Sequence, residues 1–566
     1  MRHILGNSWF ALAFVIFMTS CSGEVFDNSA GPDLKASALR PLNESEKVKD
    51  FDLLADTVRN LYGPLKYKEQ RFNFRYEPMV AAYRDKVKSV STDSEFYGVL
   101  KSFLTNLQDG HVGITFTLEN TAQYSLPIIL TMIEDRAIVA GVTDLSISAL
   151  HGISVGDEIL EIDGVTTGDA LALIKRYESF GNDLSDKHMI IRWLQRPSYI
   201  TEMVPKKPEA QVRFVKPDGT TIDRTFVWKL TRGKESLARR FADTNSLTDA
   251  FAKNAAEASL LHMGAATPFF LTPQTEKLFQ LVPVKPSEAA LGRHGLTDFG
   301  KIPVLYAALY RFEGKTILLV RQPTYLVQDN AARIAWYKAI LDEYGRFADV
   351  LVIDQTHNPG GSMFFAEEFM SLFAGPATRA NVNFLRADRR WLNDLFSMIQ
   401  APGISQSIKD VWELGYRQVE SAYDLGQELT AEPMSVTGSN YILPASFTFR
   451  DKPILMLIDE LSGSCGDIVP NLMKENGLAT LFGERTMGLG GNVSPVVQLP
   501  LSLASVNLTR GLFMIYQPDG KYDFNKALEN QGVQPQVHYT HTVQDFRAGY
   551  VEYFRAFSTA ASKLVK

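Results

Sequence analysis

The spacing of apolar residues changes along this chain, and the changes divide it. From Glu44 to Asn106, Leu53, Leu54, Val58 and Leu61 recur at helical spacing, which predicts a helical region over 44–124. It ends at Leu107-Gln-Asp-Gly-His-Val-Gly-Ile-Thr-Phe116, where a turn signal runs into an alternating strand. Residues 125–232 read as a small β domain. Ala137–Val142 and Glu158–Ile162 are strands, a helix opens at Gly168-Asp169, and a hairpin from Val212 to Leu230 turns at Asp218-Gly219. Residues 233–300 are rich in Ala, Lys and Arg with weak periodicity. They hold Pro268, Pro273, Pro283 and Pro286, and read as an irregular insertion.

From Lys301 the rhythm becomes strand, helix, strand. Thr316–Val320, Val350–Asp354, Ile454–Ile458 and Ala479–Phe482 are short apolar runs. Helical stretches stand between them at Asn330–Tyr344, Met363–Phe373 and Ile468–Glu475. That alternation predicts an α/β core over 301–545 with a parallel βαβ sheet, a polar insertion at 381–445 and a C-terminal helix over 546–566. In such sheets sites form where strands end. Two strands here end in small-residue turns: Asn358-Pro-Gly-Gly361 and Ser462-Gly-Ser-Cys-Gly466. A serine projecting from a tight strand-to-helix turn, with small neighbours, has the form of a nucleophile elbow. The backbone N–H of Cys465, with that of Gly360 or Gly361, would cradle an oxyanion. Asp467 reads as a cap of the following helix, with Pro470 in its first turn. Asp109 reads as a turn former.

Composition narrows the class. The chain has 566 residues, 45% hydrophobic and 22% charged, with a net charge of −6. Nothing there draws it to nucleic acid. No His/Cys cluster has metal-ligand spacing, so neither a metal nor a cofactor is expected. Arg2 and His3 precede an apolar run from Trp9 to Met18 and then Thr19-Ser-Cys21. That run is short for a membrane span and reads as an export signal over 1–21. Residues 22–43 read as a tether.

The order of these pieces resembles the C-terminal processing (tail-specific) serine proteases and their tricorn relatives. The pieces are Asp109-Gly-His111, an inserted β module, Asn358-Pro-Gly-Gly361, the Ser464 elbow, Gly483-Glu-Arg-Thr-Met-Gly488 and Glu529-Asn-Gln-Gly-Val-Gln-Pro535. The β module, with Gly156-Asp-Glu-Ile-Leu-Glu-Ile-Asp-Gly164, resembles PDZ domains. His111-Val-Gly-Ile-Thr-Phe116, Asp354 to Ser362 and Ser464-Cys-Gly-Asp467 look like the chlamydial protease-like activity factor branch. The resemblance implies a ClpP/crotonase-like core with an inserted PDZ-like domain. It also implies an endopeptidase acting on proteins or peptides, and a homodimer by analogy. One departure matters. Tail-specific members use a Ser–Lys dyad, but Leu489 occupies the lysine position here. In the chlamydial branch the base corresponds to His111 and the carboxylate to Glu529, so the implied triad is Ser464, His111 and Glu529. His357 is a rival base beside the glycine-rich turn. Lys474, a relocated lysine, stands more than two helical turns from Ser464. A segment between domains masks the site in the chlamydial relative, and 233–300 would do so here. The signal resembles that of a bacterial lipoprotein, with Cys21 as the lipidated residue. That implies a periplasmic protein anchored to the outer membrane, whereas an ordinary signal would imply secretion. The competing functional class is a non-catalytic binding lipoprotein on the same scaffold.

Overall fold

The structure is a computed structural model that describes residues 40–116, 123–143, 152–197, 204–232 and 263–565. The expected signal, Cys21, the tether up to residue 39 and the stretch 233–262 lie outside the described residues.

The central element is a seven-stranded sheet. Its spatial order is Val282–Pro283, Ala307–Phe312, Lys315–Arg321, Val350–Asp354, Ile454–Ile458, Thr480–Gly483 and Val537–His538. The first two strands pair antiparallel, and the strands from Lys315–Arg321 onward run parallel. Val350–Asp354 and Ile454–Ile458 are buried at every position, as strands covered on both faces must be. Their side chains alternate between two cores. Leu351, Ile353, Met456 and Ile458 face the helices Asn330–Tyr344, Met363–Met370 and Cys465–Glu475. Val350, Val352, Leu455 and Leu457 face Phe554, Phe557 and Ala561 of helix Val551–Leu564, joined by Phe270. The fold is mixed α/β, with a helical layer on each side of the sheet.

Helices Glu44–Leu61, Leu65–Phe72, Tyr76–Ser89 and Asp93–Thr105 share a core of Phe51, Leu54, Val58, Phe96, Leu100 and Phe103. Asn43 with Glu46, and Thr92 with Glu95, form capping boxes that set two of the starts. This core also receives Val506 and Leu508. They come from strand Ser505–Thr509, which pairs antiparallel with Gly113–Thr115. A separate sheet runs Ile128–Ile133, Arg136–Val142, Glu158–Ile162, Glu209–Val215 and Thr221–Val227 around its own core.

Residues 263–300 depart from the irregular reading. Thr272 caps helix Pro273–Phe279 with Pro273 in its first turn, Glu288–Arg293 is a second helix, and Val282–Pro283 joins the main sheet. Prolines that look like breakers serve here as a helix start and an edge strand, both of which tolerate the missing N–H. Among the described residues no helix is long and apolar enough to cross a membrane, and no group of His, Cys, Asp and Glu could hold a metal ion.

Candidate active site

Strand Ile454–Ile458 ends at Asp459, whose carboxylate organises the turn that follows. It accepts the Ser462 hydroxyl at 2.8 Å and the His357 N–H at 2.8 Å. The neighbouring glycine-rich turn is stitched to the same point. Asn358 accepts the Gly463 N–H on its carbonyl at 2.9 Å and the Gly360 N–H on its side-chain oxygen at 2.9 Å. The two turns therefore meet. A Cβ at Gly360 would stand 2.6 Å from the Ser464 Cβ and 2.8 Å from the Cys465 nitrogen.

Ser464 sits at φ 58° and ψ −120°, a left-handed conformation for a non-glycine residue. Helix Cys465–Glu475 begins directly after it, two residues ahead of Asp467. Asp467 is thus not the cap. Its carboxylate is fully buried and accepts the N–H groups of Gly488 at 2.8 Å and Leu489 at 2.9 Å. Burial pushes it up to about 6, against the pull of those donors. Pro470 falls inside the helix rather than in its first turn. It has no N–H for the Gly466 carbonyl, which instead accepts Gln355 Nε2 at 2.9 Å. The Cys465 thiol donates to the Gly361 carbonyl, and burial pushes it up to about 12. A protonated buried thiol is a poor nucleophile. The Gly360 N–H is held by the Asn358 side chain.

The segment 486–491, where the tail-specific pattern has its lysine, gathers the remaining pieces. A Cβ at Gly463 would meet Leu489 Cδ1 at 2.9 Å, and one at Gly110 would meet Leu489 Cδ2 at 2.8 Å. One leucine side chain therefore lies between the elbow and the turn that carries His111. The next residue, Gly490, donates its N–H to Glu529 Oε2 at 2.8 Å, and Asn530 donates to the Gly488 carbonyl at 2.8 Å. The turn beside Ser464, the turn beside His111 and Glu529 thus all border the 486–491 segment.

His111 Nδ1 is buried, with no protein hydrogen-bond partner among the described residues. Burial holds the imidazole below its ordinary value, which keeps it neutral at neutral pH. Its backbone N–H goes to Asp109 Oδ1 at 2.9 Å, and Asp109 Oδ2 accepts the Tyr62 hydroxyl at 2.9 Å. Burial would raise Asp109, but the charges of Lys68 and His111 hold it below the usual carboxylate range. Burial and the Asp109 charge push Glu529 up to about 7, against the pull of Lys68. Lys68 is the residue that sequence reading missed. It comes from helix Leu65–Phe72, has no exposed surface, and forms an ion pair with Glu529. The available hint is its place on the stripe of Leu65 and Phe72, where an apolar residue is expected.

The rival residues are turned to other tasks. His357 Nδ1 lies 2.7 Å from Asp459 Oδ2, and its ring packs on Phe269. Lys474 reaches the Gln534 carbonyl at 2.9 Å.

Residues 317–539 match the model of peptidase family S41. This stretch is a peptidase S41 domain. The S41 domain makes the chain a serine peptidase. It contains Ser464, Gly360 and Glu529, while His111 and Lys68 come from outside it. A protein of Chlamydia pneumoniae is 25% identical over 92% of this chain and 90% of its own length. A protein of Chlamydia trachomatis is 23% identical over 92% of each. Among solved structures, mature CPAF complexed with lactacystin superposes with a TM-score of 0.73 at 22% identity, covering 92% of this chain and 99% of that one. The S41 domain thus sits in a chain whose fold that structure shares nearly end to end.

Proposed function

We propose that the chain is an exported serine endopeptidase whose nucleophile is Ser464, whose general base is His111 and whose triad carboxylate is Glu529. The observation that carries this reading is the shared hub. Leu489 touches the glycines beside Ser464 and His111, and the next residue binds Glu529. In this scheme a peptide carbonyl lies over Ser464, and His111 takes the hydroxyl proton as oxygen attacks carbon. The oxyanion is held by N–H groups of the Gly360–Gly361 turn and Cys465, each such donor worth ~3 kcal/mol of barrier. His111 returns the proton to the leaving amine, and water resolves the acyl-enzyme. The imidazolium forms against the negative charge of Glu529.

Two further parts of the proposal concern access. Residues 233–300 act as an inhibitory segment. Supporting this, the Gly264 N–H donates to the His357 carbonyl at 2.9 Å, Arg321 holds the Ala265 carbonyl at 3.0 Å, and Met263 packs with Phe180, Met487 and Leu489. The PDZ-like module is a scaffold for the hub. Asn182 Nδ2 reaches the carbonyls of Thr486 and Met487, each at 3.2 Å. The chain is read as reaching the periplasm through the signal over 1–21, with lipid on Cys21.

The test is covalent labelling of the full chain with a fluorophosphonate serine probe, followed by intact mass. Wild type should label. Ser464→Ala should not label, and His111→Ala should slow labelling by at least about a thousandfold. Labelling that survives Ser464→Ala would reject the assignment. Removal of 235–262, which leaves the core residues Phe270 and Leu291 in place, should speed labelling. Unchanged or slower labelling would reject the inhibitory role.

A further inference from the structure

Lys68 makes contacts that a helix-surface lysine does not. Its ammonium donates to the Gln108 carbonyl at 2.9 Å and to Asn530 Oδ1 at 2.6 Å, and it pairs with Glu529 Oε1. All three of its protons are therefore placed. Gln108 lies three residues before His111, and Asn530 follows Glu529. Gln108 and Asn530 both hold positive φ, 49° and 58°, a strained choice that persists only where surroundings over-determine it. The two are also bonded to each other, Asn530 Nδ2 to the Gln108 carbonyl at 2.7 Å. Lys68 closes that contact from the third side.

We propose that Lys68 is a positioning residue of the peptidase site: its ammonium ties the turn carrying His111 to the loop carrying Glu529 and balances the charge between them. This rests on the triad reading above. The groups that face the ammonium are Glu529, Asp109 and His111. The Tyr62 hydroxyl stands on Asp109, the Tyr67 hydroxyl on the Glu529 carbonyl at 2.6 Å, and Arg71 reaches the Asn530 carbonyl at 3.3 Å. Two carboxylates against one ammonium leave a single negative charge once Glu529 is ionised. The imidazolium that forms on His111 during acyl transfer neutralises it. Without Lys68 the two carboxylates would repel more strongly in a dry pocket, and Glu529 would hold its proton more tightly still. With it, both Glu529 oxygens are held, one by Lys68 and one by the Gly490 N–H. The hydrogen bonds of Lys68 among the described residues go to Gln108, Glu529 and Asn530, so it acts through His111 and Glu529.

The experiment measures the fluorophosphonate labelling rate of the full chain against pH for wild type and Lys68→Met. The expected result is a fall of about tenfold or more. The acid limb should also move up by about one pH unit, because removing a neighbouring cation lets His111 hold its proton more tightly. A rate within twofold of wild type, or a slower rate with an unmoved limb, overturns the proposal while leaving the triad reading intact. A wild type that does not label, with 235–262 present or removed, overturns both. If Lys68→Met does not fold, Glu529→Gln is compared with the charge-matched Lys68→Met/Glu529→Gln. The acid limb should lie higher in the double variant, and coincident limbs overturn the proposal.

Discussion

Ser464 holds a backbone conformation that few non-glycine residues adopt, and Gly360 is the neighbour that makes room for it. Gly360 is itself at φ 90°. Gly360→Ala should slow probe labelling by about a hundredfold or more, because its Cβ would push against the Ser464 Cβ and the Cys465 nitrogen, and cost on the order of 1–3 kcal/mol in strain. Labelling kinetics and urea melts of the variant check both figures. Asp467 gives a pH prediction. Its folded value of about 6 lies above that of an unfolded aspartate, so the folded chain binds this proton more tightly. The stability it contributes is complete below the unfolded value and is lost as pH rises through 6. The shift corresponds to about 3 kcal/mol. The stability gap between wild type and Asp467→Asn should therefore shift by that order between pH 4 and 7, to the disadvantage of wild type. A pH-independent gap would reject the cause. At this scale the legible residues were those with a local signature, such as Ser464 in its run of small residues. Lys68 has none, because its partners stand 40 and more than 460 positions away. Asp467 was legible as a residue but not as a role: the two N–H donors it binds follow it by 21 and 22 positions.

The helix after the elbow joins the end of the neighbouring strand Val350–Asp354 through a missing hydrogen bond. Pro470 leaves the Gly466 carbonyl to Gln355, whose own oxygen accepts the Tyr325 hydroxyl at 2.8 Å. Gln355→Leu should cost about 1–3 kcal/mol, since it orphans a buried carbonyl and a buried hydroxyl. Combined with Pro470→Ala, which restores an N–H to that carbonyl, the loss should shrink. Additive losses in thermal melts would show that the helix does not take the bond back. Elements were read well where apolar runs were short and continuous. Val350–Asp354, Ile454–Ile458 and helix Asn330–Tyr344 carry the same bounds in sequence and structure. Residues 263–300 were read poorly because their packing partners are distant. Phe270 and Phe279 are ordered by helix Val551–Leu564 rather than by their own neighbours.

Across the whole molecule, His188 of the small β unit pairs with Glu460 beside the elbow strand, and Ser185 donates to the Glu460 carbonyl at 2.8 Å. Burial alone would lower His188, but Glu460 raises it above its ordinary value. Its contribution is therefore complete below the unfolded histidine value and fades as pH rises through the folded one. His188→Gln should destabilise by about 1.5–3 kcal/mol at pH 6 and by clearly less at pH 9, measured by thermal unfolding. A gap that is the same at both would show the pair is held by packing. The inner face of the main sheet has a different dependence, one of timing. Phe554, Phe557 and Ala561 cover Val352, Leu455 and Leu457, and they follow every strand of that sheet in the chain. A ribosome delivers them last. Until then a growing chain carries a bare aliphatic wall, so the sheet closes only once synthesis has passed Val551–Leu564. A chain cut short before Tyr550 should therefore aggregate rather than fold.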